Sequence, residues 1–340
     1  MDAKPSGPGP RNLITDVPGL KVGQAHNAEA RTGVTVILPD VRAVCGVDVR
    51  GGGPGTRETD ALAAENLVEA VDAVVLSGGS VYGLAAADSV TGWLGARGRG
   101  YGMLPDIPPS PVVPGAILFD MANGGDKGWG EDPPYRDLGR RAVAAAELDV
   151  ALGTAGAGYG AMAGGLKGGT GSASAVTEDG FTVGAIVAVN SWGSVVAPGG
   201  RTFWAAPFEI DGEFGGLGAA GLGAGPEDWG LAKRPAETRN TTLACVATDA
   251  ILTPAQARRV AIMAQAGLAR AIRPVFAPFD GDVVFALSTG MRALSAPADY
   301  DVARLGALAA DVLCRAVARG VFAARAWPGA NVRCWIELGS

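Results

Sequence analysis

Apolar and β-branched residues cluster or alternate at Val34–Leu38, Ala43–Val49, Ala73–Leu76, Ile117–Phe119, Thr182–Val189 and Val195–Val196. Such runs predict strands, because side chains alternate across a strand and a strand covered on both faces is apolar throughout. Segments 59–70, 81–96 and 136–147 carry apolar positions at helical spacing. Residues 153–174 are too glycine-rich for either element and read as loops. From about Asp211 to Arg239 the chain is again glycine-rich, with acidic residues, Pro226 and Pro235, and reads as a solvated linker. Thr241–Thr248 then predicts a buried strand. Thr253-Pro254 opens a helix to about Ala269, with threonine as cap and proline in the first turn. A strand at Val283–Leu287 follows. A helix over Asp301–Arg319 carries Val302, Leu305, Leu308, Ala309, Val312 and Leu313 on its apolar side, and Val332–Glu337 ends the chain as a strand. Successive strands in pairs and triples, mixed with helices, predict an α+β protein with largely antiparallel sheets covered by helices.

Composition narrows the class. Of 340 residues, 48% are hydrophobic and 18% charged, which predicts a packed core rather than disorder. The 53 glycines show no collagen-like period and gather between apolar runs, as tight turns and close backbone approaches require. A net charge of −6, with acidic and basic residues mixed, offers no basic stripe for nucleic acid. No uninterrupted apolar stretch reaches membrane-span length. Cys45, Cys245, Cys314 and Cys334 are far apart in apolar settings and predict buried free thiols. With no secretory apolar core in MDAKPSGPGPRN, the expected location is cytoplasmic. His26 is the one histidine, so a multi-histidine metal site is excluded and any Ser-His-Asp triad would hang on that residue. It stands in a loop-like GQAHNAE and reads as structural or surface.

Two glycine motifs fail on context. Gly156-Ala-Gly158-Tyr-Gly160-Ala161, with Glu178 some way on, approaches a dinucleotide fingerprint but continues into MAGGLKGGTG instead of a helix. Lys167 is followed by glycine, so the phosphate-loop pattern is also broken. The junction Arg239-Asn240-Thr241-Thr242 is more informative. A threonine heading a buried strand after a linker can attack the preceding carbonyl, giving an ester that water hydrolyses. The freed α-amine, of ordinary pKa about 8, then serves as base for the same residue's hydroxyl. No histidine is needed. Taken alone, such a threonine reads more readily as a capping or strand-edge residue.

The chain resembles the L-aminopeptidase/D-esterase family of self-processing peptidases, with β-aminopeptidases and nylon-oligomer (aminohexanoate oligomer) endo-hydrolases among its members. The residues carrying the resemblance are TGVTVIL at 32–38, CGVDVRGGGPGTRETDAL at 45–62, LSGGSVYGL at 76–84 and GLKGGTGSAS at 165–174. VAVNSWG at 187–193, NTTLACVATDA at 240–250 and FDGD at 279–282 continue it in order, and Asn-Thr-Thr is closest to the nylon-oligomer hydrolase branch. The resemblance implies an αββα layered sandwich of the N-terminal-nucleophile type. It implies Thr241 as nucleophile and Asn240 as the last residue of the larger subunit. Lys167 would lie near the nucleophile, Asn190 would donate to the oxyanion, and Asp280 and Asp282 would orient Lys167 and the Thr241 amine. Phe119 stands where some relatives carry tyrosine, which removes a hydroxyl from the site; Tyr82 is a candidate for lining the substrate pocket. The RGGGPGTRETD loop shapes either the site or subunit contacts.

The expected organisation is a loose tail over 1–12, a larger segment 13–240 ending in the linker about 211–239, and a smaller segment 241–340, all in one composite core. The expected activity is hydrolysis of a small peptide or oligoamide through an acyl-threonine. No metal or organic cofactor is expected, and the assembly is a homo-oligomer, a dimer or tetramer of cleaved pairs. The alternatives are a self-cleaving acyltransferase of the ornithine acetyltransferase type and a non-catalytic binding protein on the same fold.

Overall fold

In the computed structural model, which describes residues 7–102, 104, 106–220, 222–233 and 240–339, the strands sort into two stacked sheets. One sheet runs, in spatial order, Leu20–Asn27 (β1), Thr32–Pro39 (β2), Val74–Ser77 (β6), Gly115–Ile117 (β7) and Thr56–Arg57 (β4). The other runs Gly169–Val176 (β10), Thr182–Asn190 (β11), Thr241–Ala250 (β12), Val283–Arg292 (β13), Ala43–Val49 (β3) and Ala70–Val71 (β5). Met162–Ala163 (β8) and Leu166–Lys167 (β9) form a small ribbon. Pairing is antiparallel except for β12 with β13 and β6 with β7. Helices Ala85–Gly95 (α1) and Tyr135–Ala144 (α2) cover the first sheet, and Pro254–Ala271 (α3) and Ala298–Phe322 (α4) cover the second. The layers are helix, sheet, sheet, helix, as expected.

Alternation along β12 shows why this order holds. Leu243, Cys245 and Ala247 face the first sheet and meet Ile37, Leu76 and Leu118 in the central core. Ala244 and Val246 face the other way, against Val260 and Leu268 of α3 and Leu313 of α4. Both faces are therefore dry, which is why the strand reads as an unbroken β-branched and small apolar run. Burial of each larger side chain stabilises the layer by about 2 kcal/mol. At the start of α3, the Thr253 hydroxyl accepts the Gln256 N–H at 3.3 Å while the Gln256 carboxamide oxygen accepts the Thr253 N–H at 2.9 Å, completing the expected cap. All four cysteines are buried and free.

Several expectations are corrected. Segment 59–70 is not a helix: it holds a 3-10 turn at Asp60–Leu62 and the short strand β5. Only its start meets the core, through Leu62, while Leu67 is exposed. The glycine-rich stretch 153–174 is not all loop, because β10 starts at Gly169. Its glycines serve close helix packing: a Cβ on Gly171 would lie 1.8 Å from the Ala316 carbonyl of α4. Val195–Val196 contributes only an isolated bridge, Val196 to Phe203. Val332–Glu337 is not a strand, since Trp335–Glu337 is a 3-10 turn and the Glu337 carboxylate satisfies the Cys334 N–H locally at 2.7 Å.

The tail and linker are also less free than expected. Residues 1–6 and 234–239 lie outside the described residues, but Gly7 bridges Val176, and Asn12 is held by α4. In the linker, the Glu213 side chain is buried and bridges Arg315 at 2.5 Å and Arg319 at 3.4 Å. Asn12 closes the cluster, donating to Glu213 at 2.7 Å and accepting from Arg315 at 2.9 Å. A buried arginine demands such partners, and the linker supplies its carboxylate.

Candidate active site

The site forms where β12 begins. Thr241 stands opposite Asn190 at the end of β11, and Asn240, one residue earlier, bridges Asp280 just before β13. The Thr241 side chain is almost fully buried, and its hydroxyl donates to the Asn240 carbonyl oxygen. The same oxygen accepts the Gly281 N–H at 3.0 Å. The Asn240 side chain in turn accepts from the Lys233 ammonium.

The turn carrying Asp280 and Asp282 is gripped by the RGGG loop. Arg50 N–H donates to the Asp282 carbonyl at 3.0 Å and Gly53 N–H to the Asp280 carbonyl at 2.7 Å. A Cβ on Gly51 would sit 2.3 Å from the Asp282 nitrogen, so this contact of backbone on backbone excludes any side chain. The loop therefore shapes the site. Asp282 accepts the Thr242 N–H at 2.7 Å and the Phe276 N–H at 3.2 Å, pinning the residue after Thr241. Asp280 is buried beside it, and its Oδ1 has no hydrogen-bond partner among the described residues. Burial raises both carboxyls above the usual range; the Asp282 charge pushes Asp280 further up, and Lys233 opposes it.

Lys167 lies wholly buried, but not on those carboxylates. Its ammonium donates to the carbonyls of Gly168 at 2.6 Å, Ala161 at 3.0 Å and Gly158 at 3.3 Å, and sits 4.8 Å from the Trp327 ring centroid. The expectation that Asp280 and Asp282 orient Lys167 is therefore corrected. The GAGYGA segment provides two of these carbonyls. Burial pulls the Lys167 pKa down to about 7, with Cys334 and Asp120 opposing, while three carbonyl acceptors match the three N–H groups of the charged form.

Asn190 is fixed at both ends of its amide: its oxygen accepts the Met162 N–H at 2.9 Å, and Nδ2 donates to the Phe119 carbonyl at 3.0 Å. One further N–H of that amide is left for another acceptor. A cavity of about 620 Å³ opens here, with Asn190, Asn240, Lys233, Phe119, Asp120 and Trp327 in its wall. Thr241 lies directly behind Asn240. Tyr82 is not in that wall; it is half exposed and packs edge-on against Trp129, so its pocket assignment is corrected. His26 is exposed on β1 and stacks on Tyr159 at 4.2 Å, away from this chemistry.

Compared with known families, residues 12–334 match the profile of peptidase family S58. The chain belongs to that family. This S58 peptidase is 45% identical to an uncharacterised aminopeptidase of Mycobacterium tuberculosis, over 92% of this chain and 94% of that protein. It is 27% identical to a 6-aminohexanoate-oligomer endohydrolase of a Kocuria species, over 91% and 86% of the two chains. Among solved structures, the L-aminopeptidase D-Ala-esterase/amidase of Ochrobactrum anthropi, described as a variant of the Ntn-hydrolase fold, superposes with a TM-score of 0.71. The match has 23% identity and spans 96% of this chain and 90% of that one. The fold is thus an Ntn-type sandwich.

Sequence reasoning on the S58 chain missed Lys233, Asp120 and the Gly281 N–H. Asp120 accepts from the Thr32 hydroxyl at 2.6 Å and the Gly79 N–H at 2.8 Å, and its burial raises its pKa. It adjoins Phe119 in GAILFD, where a charge after an apolar run was the available signal. Lys233 sits in the linker and gave none.

The raised carboxyls fix the sign of a pH effect. An ordinary aspartate is ionised above about pH 4, but this pair keeps a proton to higher pH. If the pair must be deprotonated to act, hydrolysis falls with acidification while exposed carboxylates are still charged. Initial amide-hydrolysis rates from about pH 4 to 9 test this, and a rate flat to the acid end would remove the pair from the chemistry.

Proposed function

We propose that the protein is a self-cleaving amide hydrolase that breaks the Asn240–Thr241 bond and then uses Thr241 as nucleophile. The observation that carries this is the Thr241 hydroxyl lying against the Asn240 carbonyl, at the head of a buried strand, with Asn240 on the cavity wall. The hydroxyl touches the carbonyl it would attack, and the β11 ladder, which pairs Asn190 with Thr241, holds the head of the strand there. After cleavage the Thr241 α-amine is the base, Asn190 donates to the substrate oxyanion, and water releases the acyl group. Asp282 positions the nucleophile through the Thr242 N–H, and Lys167 adds positive charge beside the cavity. The substrate is a small peptide or oligoamide. The protein acts in the cytoplasm as a homo-oligomer of cleaved pairs.

Intact-mass measurement with N-terminal sequencing tests the reading. The expected products are residues 1–240 and a 100-residue fragment (340 − 240) that begins Thr-Thr-Leu-Ala-Cys. A folded preparation containing only the 34.1 kDa chain would sink it.

A further inference from the structure

We infer that the backbone N–H of Gly281 is the oxyanion donor for self-cleavage, a catalytic role distinct from that of Asn190 in turnover. This rests on the self-cleavage reading above. The Gly281 nitrogen is 3.0 Å from the Asn240 carbonyl oxygen, the atom that gains negative charge when the Thr241 hydroxyl adds to its carbon. That distance is right for a donor aimed at developing charge, and a hydrogen bond to an anion is about twice as strong as one to a neutral carbonyl. Asn190, by contrast, is oriented by Met162 and Phe119.

The donor is held in place before the reaction starts. Gly53 N–H grips the Asp280 carbonyl at 2.7 Å, and Asp280 N–H donates to the Ala277 carbonyl at 2.9 Å, so the amide that follows cannot turn away. The residue must be glycine. A Cβ at position 281 would lie 2.7 Å from the Thr241 hydroxyl oxygen and 2.8 Å from the Gly53 carbonyl. The nucleophile, the scissile carbonyl and this donor therefore share one close-packed point.

The Thr241 Oγ–C bond to Asn240 forms while the hydroxyl proton passes to the Asp280–Asp282 pair. The alkoxide that results is held by the Gly281 N–H. Collapse breaks the Asn240 C–N bond, and the proton returns from the pair to the Thr241 nitrogen, leaving an ester and a free amine. Water then splits the ester into the Asn240 carboxylate and the Thr241 hydroxyl.

Replacing Gly281 with glycolate in cell-free translation changes only its N–H to an ester oxygen. The same change at Gly180, whose N–H donates to the Thr177 carbonyl at 2.9 Å in the turn between β10 and β11, removes a backbone bond at the end of β11 opposite Asn190. The conversion of full-length chain to fragments is followed over time, with resistance to limited proteolysis reporting the fold. The Gly281 ester is expected to fold and to cleave on the order of 10²–10³-fold more slowly, while the Gly180 ester stays within a few-fold of the unsubstituted chain. Equal slowing of both, normal cleavage of the Gly281 ester, or loss of fold in that variant alone would overturn the assignment. An unsubstituted chain that stays whole would instead remove the self-cleavage reading, and this inference with it.

Discussion

Thr241→Ala is expected to remain a single 34.1 kDa chain and to lose amide hydrolysis by on the order of 10⁶-fold. On the proposed mechanism, removing the hydroxyl removes the attacking atom of both reactions, and a nucleophile deletion of this kind leaves only whatever rate binding and oxyanion contacts sustain. The fold should survive. The hydroxyl donates to the carbonyl just before it, so its loss leaves no distant group newly buried and unpaired. Thr241→Ser keeps the oxygen and drops only a methyl group, so it should still cleave and turn over. A gel with activity assays on both variants decides the matter: alanine variant cut at the same bond, or serine variant inert while folded, would separate Thr241 from the chemistry.

Glu213→Ala is expected to destabilise the protein by about 3–5 kcal/mol, since it strands a buried arginine. Arg315 is 2% exposed, and Glu213 is its carboxylate partner, with Asn12 and the Ser174 carbonyl taking its other donors. Both oxygens of Glu213 are in use, so Gln would serve them poorly. Urea unfolding in the Thr241→Ala background, where the chain stays in one piece, measures the effect. The pair Glu213→Leu with Arg315→Met removes both charges and should recover most of the loss. A single Glu213→Ala variant as stable as its parent would show that the cluster contributes nothing.

Strands were the most legible part of the sequence where both faces are dry. Thr241–Thr248 announced itself because Leu243 and Ala244 each meet a different core, leaving no charged position to blur the pattern. Gly169–Val176 was hidden for the opposite reason: its small residues exist to let α4 approach, a constraint set by a helix about 150 residues away that no local pattern encodes. The same holds for Glu213, whose acidic neighbourhood read as solvated until Arg315 was placed above it. Thr241, Asn190 and the two aspartates were assigned through resemblance, and the threonine's residue type alone left a capping or strand-edge role open. Lys167 was found, but its partners are carbonyls from a glycine segment, and backbone acceptors leave no mark on residue identity. Gly281 escaped for the same reason, as its contribution is an N–H that every non-proline residue has.

The position of β12 has a consequence for the life of the molecule. It lies beside β13, and the two together sit between β11 and β3, so the pair of strands from after Asn240 is clamped on both sides by strands from before it. Once the link is severed, neither portion can leave without tearing ladders on both flanks. Two populations carrying different isotopic labels, mixed after maturation, should never trade halves short of denaturation.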